Sequence, residues 1–183
     1  MRRGLTWALL ASQLTGCCIS FGSDDDAFGD PSVRTPLPED LTIGEWRDPT
    51  HIDRRSTILD IYDVENQEWM SIPESNEKAG SGFRFYPDGR YVRASYITIR
   101  NGICVSHAWD YQQGGVALAD STTLTLYPAV HRQQYEGGCN SASNMDRDVP
   151  LEPQTYSIGI QPEGEDTFLY LQTGDTTRKY IRQ

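Results

Sequence analysis

Four cysteines, three histidines and several close-set carboxylates are the side chains of this 183-residue chain whose types could do chemistry. Nucleophilic catalysis needs a nucleophile, a base and an oxyanion site brought together. Ser106 and His107 are neighbours, and on a strand neighbours point to opposite faces, so they cannot serve as nucleophile and base there. Asp60, Asp63, Glu65 and Glu68 cluster as a glycosidase pair might, but nothing places two of them across a cleft, and they read as a solvated strand end. Asp24-Asp25-Asp26 opens like a calcium loop, yet Phe28 stands where an oxygen ligand is needed. His51, His107 and His131 are scattered, and no C-x-x-C or H-x-x-x-H spacing offers a metal site. No G-x-S-x-G, G-x-G-x-x-G or Walker loop is present. The expectation is a non-catalytic protein without metal or cofactor.

The thiols are placed more tellingly. Cys17 and Cys18 adjoin at the end of an apolar run, Leu5–Leu14, preceded by Arg2 and Arg3. Ten residues of helix are too short to cross ~30 Å of hydrocarbon, so the layout is that of a secretory signal. The formal net charge is −10, and −12 without Arg2 and Arg3. A surface this acidic repels nucleic acid and anionic headgroups. Residues 21–40 are rich in Gly, Ser, Pro and Asp and have little to bury, which predicts a solvated tether.

The elements that must position any site are strands. From residue 41 onward, short alternating runs recur between turn residues: LTIGEW (41–46), STILDIY (56–62), GFRFY (82–86), RYVRASYITIR (90–100), ICVSHAWDY (103–111), STTLTLY (121–127), TYSIGIQ (155–161), TFLYLQT (167–173) and TRKYIR (177–182). Pro87-Asp88-Gly89, Asn101-Gly102, Gly114-Gly115, EGED (163–166) and GDT (174–176) read as turns. About nine such strands predict an all-β domain over 41–183, a small antiparallel up-and-down barrel, because closure removes exposed edges. A β-sandwich is the alternative. Alternation puts Val105, His107, Trp109 and Tyr111 on one face, expected to be the interior. Residues 129–154 show no clear element and form an unusually long connection, where function often sits.

Two resemblances add to this. Leu14-Thr15-Gly16-Cys17 resembles the lipobox of prokaryotic lipoproteins. That implies a signal peptide over 1–16, acylation of Cys17, a tether over 17–40 and a membrane-anchored place in the cell envelope. Cys18 is not the Asp that retains such proteins in the inner membrane, so in a Gram-negative cell the resemblance implies the outer membrane. Gly44-x-Trp46, GFRFYPDGRYV and TFLYLQTGDTTRKYIR together resemble small bacterial lipocalin-like domains. By that resemblance Trp46 closes one end of the barrel and Arg182, or else Arg178, packs over it.

With Cys17 acylated and the chain exported, Cys104 and Cys139 are the two thiols of the folded part. They are expected to pair in the oxidising compartment, contributing about 3–4 kcal/mol in the chain-entropy model. Cys18 is left free on the tether. A small barrel is either filled by its side chains or open to one ligand. Phe83, Phe85, Tyr91, His107, Trp109 and Tyr111 are the candidates to line such a site. The expected function is that of a lipid-anchored, exported lipocalin-like protein binding a small apolar ligand or serving as an envelope accessory. The alternative is a protein-binding lipoprotein, a hydrolase inhibitor or assembly factor, acting through the 129–154 loop.

Overall fold

The structure, a computed structural model, describes residues 26–49, 57–70 and 79–183. The strands are β1 (Trp46–Arg47), β2 (Tyr62–Asp63), β3 (Glu68–Trp69), β4 (Ala79–Phe85), β5 (Arg90–Asn101), β6 (Cys104–Asp120), β7 (Thr123–Glu136), β8 (Met145–Asp148), β9 (Gln154–Glu163), β10 (Asp166–Thr173) and β11 (Thr176–Arg182). All pairings are antiparallel. The order β6-β5-β4-β1-β11-β10-β9-β7 returns to its start through the pairing of β6 with β7, which makes a closed eight-stranded barrel. Consecutive barrel strands are neighbours all the way round, the up-and-down arrangement expected; a two-sheet sandwich is not formed.

The glycines at the hairpin tips do what turn chemistry requires. Gly89, Gly102, Gly164 and Gly174 all have positive φ, a region that only glycine enters without steric cost. Gly114-Gly115 is different. The sequence reading made it a turn, but β6 runs straight through it, and its register against β7 shifts between Gln113 and Gly114. A Cβ on Gly114 would overlap the Tyr127 carbonyl oxygen. The glycine is there because two backbones crowd at a bulge, which bends the long strand around the barrel.

One half of the interior is packed solid. Trp46, Phe83, Phe85, Tyr91, Leu169 and Tyr180 meet there with Val116, Leu124, Leu126 and Leu171. Phe83 stacks on Phe85 at 5.6 Å and takes Tyr180 edge-on at 5.2 Å. The seam residue Trp46 is fully buried. Its indole N–H donates to the Leu41 carbonyl at 2.7 Å, and the Arg182 guanidinium lies over its ring at 4.8 Å. Arg178 is exposed and takes no part in this closure.

Several boundaries differ from expectation. The run 41–46 is not one strand. Pro38 and the acidic pair Glu39-Asp40 start a one-turn helix, α1 (Glu39–Thr42), and Gly44 at φ +75° breaks it; acidic residues favour a helix N-terminus. Residues 57–62 are not a barrel strand either. Tyr62-Asp63 pairs with Glu68-Trp69 in a small hairpin that lies on the outside of the barrel. The expected tether over 17–40 ends sooner: residues 27–40 are laced to the barrel. Thr35 N–H donates to Val116 O at 2.9 Å, Leu37 N–H to Pro87 O at 3.1 Å, and Gln113 Nε2 to Ala27 O at 2.6 Å. Leu37 and Leu41 then plug the packed end. The stretch 129–154 is not an unstructured loop. Its first part is the end of β7, and β8 folds back onto it. The signal peptide over 1–16, Cys17 and Cys18 lie outside the described residues.

Gly114→Ala is expected to destabilise the barrel by about 2–3 kcal/mol through overpacking. Gly159→Ala, with open space at its Cβ, should change stability by less than about 0.5 kcal/mol. Denaturant midpoints of the two variants check this; equal losses would contradict the bulge as the reason for Gly114.

Candidate functional site

Strands β5, β6 and β7 run on past the level where β9 leaves the barrel. The first half of β7 pairs with β9, over Thr123–Leu126; its second half pairs with β8, over Arg132–Tyr135. The result is a projecting lip, β4-β5-β6-β7-β8, whose concave face continues the barrel interior. Register places the inward residues in rows. The deepest relevant row is Phe83, Arg93, Gln112 and His131; the next is Ser81, Ser95, Asp110 and Gln133; the outermost is Ala79, Ile97, Ala108 and Tyr135, extended by Met145 of β8. The last two rows line a cleft of about 510 Å³. Cys104–Cys139, a disulfide in the structure, joins the start of β6 to the turn after β7 and braces this lip.

The floor of the cleft is polar and incompletely satisfied. Asp110 Oδ2 accepts hydrogen bonds from His131 Nε2 at 3.0 Å and Gln133 Nε2 at 2.8 Å. Its other oxygen, Oδ1, and the Ser81 hydroxyl, both on residues that line the cleft, are buried with no protein partner; the Tyr91 hydroxyl, Arg93 Nε and His131 Nδ1, in deeper rows, are unpartnered too. Gln112 is 0% exposed, and neither end of its amide is hydrogen-bonded by the protein. Leaving such a group unpaired costs about 1–3 kcal/mol, and buried polar groups in folded proteins almost always have partners. Two of them, Asp110 Oδ1 and the Ser81 hydroxyl, belong to one cleft and suit it to a polar group.

Burial pushes the Asp110 carboxyl upward. The hydrogen bonds from His131 and Gln133, with the positive field of Arg93, outweigh this and hold it below the usual carboxylate range. Asp110 is therefore ionised at neutral pH. Deeper in, burial raises Tyr91 well above the ordinary phenol value, so it stays a neutral O–H donor.

The six aromatic and histidine candidates divide into two groups that do not meet. Phe83, Phe85 and Tyr91 face inward but belong to the packed half. His107, Trp109 and Tyr111 face outward, which corrects the expectation that His107 points to the interior; Trp109 nonetheless contributes to the lining of the cleft. Tyr62 of the β2–β3 hairpin covers Tyr111 at 5.2 Å, and Trp69 reaches Trp109 at 6.4 Å. His107 packs on Trp109 at 5.5 Å, and its Nδ1 lies 3.2 Å from the Thr98 hydroxyl. The alternation along β6 was read with the right period and the wrong side. Both of its faces are covered, one by the core and one by the hairpin, so apolar content does not tell inside from outside. The residues that sequence reasoning missed are Asp110, Gln112, Gln133, Ser81 and His131. The available signal was Gln112-Gln113, two polar residues inside a long strand.

Among the described residues no cluster of three or more His, Cys, Asp or Glu could hold a metal ion. Fold and site together define a closed eight-stranded antiparallel barrel that is filled at one end and carries a polar-floored cleft at the other. No family model, no curated protein and no solved structure matches this chain.

Because the folded-state pKa of Asp110 is depressed, its stabilisation is full above the unfolded carboxylate value of ~3.9 and is lost as pH falls through the lower folded value. Asp110→Asn should cost about 1–3 kcal/mol at pH 7. It should also flatten the decline of stability on the acid side, below about pH 4. Urea titrations of both proteins between pH 7 and pH 2 check this; parallel pH profiles would contradict it.

Proposed function

We propose that this chain is an exported lipocalin-like protein, moored to the cell envelope by acyl groups on Cys17, that holds a small molecule in the lip cleft without catalysis. The observation that carries the reading is the pair of buried, unpartnered polar atoms, Asp110 Oδ1 and the Ser81 hydroxyl, in an otherwise apolar-rimmed cleft. Binding sites have this composition: mostly apolar walls with a few polar groups that fix orientation. At the centre of the packed half, Trp46, Phe83, Phe85, Tyr91 and Tyr180 are buried against one another. The cleft therefore favours an amphipathic molecule over the wholly apolar one expected from sequence. Anchoring rests on the lipobox resemblance and on the physics of acylation: one chain binds a membrane marginally, whereas two or more hold firmly. In a cell with two membranes the outer one is the destination by the same resemblance.

A protein partner is the second reading. Ile103, at the tip of the β5–β6 hairpin beside the disulfide, is 97% exposed, and Ile97 and Ile99 follow it at about half exposure. Such a tip suits docking by an envelope protein, with the β7–β8 hairpin as its flank.

Native mass spectrometry of the protein released from its own membrane is expected to show a bound small molecule that Ala108→Trp, by filling the cleft, removes. Absence of any adduct, or an equal adduct on both proteins, would contradict the cleft reading. Loss of a protein partner on Ile103→Asp, with no small molecule found, would support the second reading instead. Cys17→Ser should move the protein from the membrane fraction to the soluble one; unchanged membrane association would contradict the anchor.

A further inference from the structure

Resting on that reading of the cleft, we infer that its ligand is an organic cation: an amine whose ammonium group meets the free oxygen of Asp110 and whose hydrocarbon body lies on Ile97, Ala108, Tyr135 and Met145. The first support is charge. Among the described residues that line the cleft, the charged side chains are Asp48 and Asp110, both acidic. A carboxylate with one buried oxygen unmatched attracts a cationic donor most strongly where water is scarce. Charge-assisted hydrogen bonds are also roughly twice as strong as neutral ones.

The second support is geometry. His131 and Gln133 both bond Oδ2 and leave Oδ1 without a protein partner. Gln133 is itself turned that way: its Oε1 accepts from Arg147 Nη2 at 3.3 Å, which directs its amide N–H₂ to Asp110. The carboxylate is thus held through one oxygen, while the other is buried beside the cleft and unpaired. The Ser81 hydroxyl, two strands away in the same row with Ser95 between, is also unpartnered and adds a second polar group to the cleft.

The third support is the wall. Tyr135 presents an aromatic ring at the rim, and a cation over such a ring gains about 0.5–2 kcal/mol. The apolar rim favours an organic ammonium over a metal ion, which would need several oxygen ligands. The net charge of −10 steers cations toward the protein from solution. A carboxylate ligand is the opposing case. It would have to draw Arg147 of β8 away from Gln133, which it bonds at 3.3 Å, or reach past Asp110 to Arg93, whose guanidinium lies one row deeper over the Phe83 ring at 5.6 Å.

Isothermal titration of the full acylated chain in phosphatidylcholine nanodiscs tests this, with empty nanodiscs as the blank. The probes are 4-phenylbutylamine, 4-phenylbutanol and 4-phenylbutyrate, which share one hydrocarbon body. The amine is expected to bind at least tenfold tighter than the alcohol, and the acid most weakly. Asp110→Asn should bring amine and alcohol within threefold of each other while the alcohol is still bound. The wild-type series decides the question even if that variant folds poorly. Equal binding of all three, or tightest binding of the acid, would overturn the cation inference and leave the cleft as a binding site. Binding of none, with no adduct in native mass spectrometry, would overturn both.

Discussion

The barrel is closed across one seam by two residues. Trp46 and Arg47 are all of β1, yet they bridge β11 on one side and β4 on the other. So short a strand has few ladder hydrogen bonds, and side chains must supply the rest of the closure. Inside, Trp46 fills the centre of the packed half, with Arg182 across its face and Leu41 accepting its N–H. Outside, buried Glu45 pairs with Arg47 at 2.6 Å and with Arg84 of β4. Gly44 makes the approach feasible: a Cβ there would overlap the C-terminal Gln183 carbonyl, and residues 45 and 183 exchange two backbone hydrogen bonds at 3.2 and 2.8 Å. Strand β1 and the C-terminal strand are clamped as one unit.

The rest of the molecule follows from that clamp. An eight-stranded barrel has an interior just wide enough for side chains to fill. Trp46, two phenylalanines and two tyrosines, with the leucines and valine around them, are committed to the clamped end. The four short strands β1, β9, β10 and β11 reach no further than this core needs. The longer strands β5, β6 and β7 continue, flanked by β4 and β8, so their inward face emerges as the concave side of a lip. On that lip large apolar residues give way to Ser81, Ser95, Asp110, Gln112 and Gln133. Filled end and polar cleft are two consequences of unequal strand length. The disulfide at Cys104–Cys139 holds the part of the lip that no neighbouring strand secures.

The turns were legible because each needs a local conformation. Asn101-Gly102 and Pro87-Asp88-Gly89 demand a positive φ whatever surrounds them. Trp46 with Arg182, or else Arg178, was legible only through the resemblance carried by Gly44-x-Trp46 and the last hairpin, and the structure places Arg182 over the indole. Gly114-Gly115 was misread because the same residue type serves a turn and a bulge, and the difference lies in Tyr127, a partner strand away. Residues 27–40 look like a linker by composition, but composition does not reveal that their backbone groups bond the barrel end. The site itself was the least legible part. Asp110 and Gln112 alternate with Trp109 and Tyr111, and the aromatic residues drew the inward assignment. Only the hairpin at 62–69, covering the outer face, reverses that choice, and its docking is a tertiary fact with no local signature.

The division of the interior into a solid end and a polar cleft is the claim on which the functional account stands. A crystal structure of the protein under xenon pressure tests it directly, since xenon enters apolar voids and ordered polar groups appear in the same map. The account predicts no xenon among Trp46, Phe83, Phe85 and Tyr180. It also predicts a bound molecule or ordered waters within hydrogen-bonding distance of Asp110 Oδ1 and the Gln112 amide. Xenon sites around Trp46, or an Asp110 and Gln112 that turn away and pair with other protein groups, would contradict it.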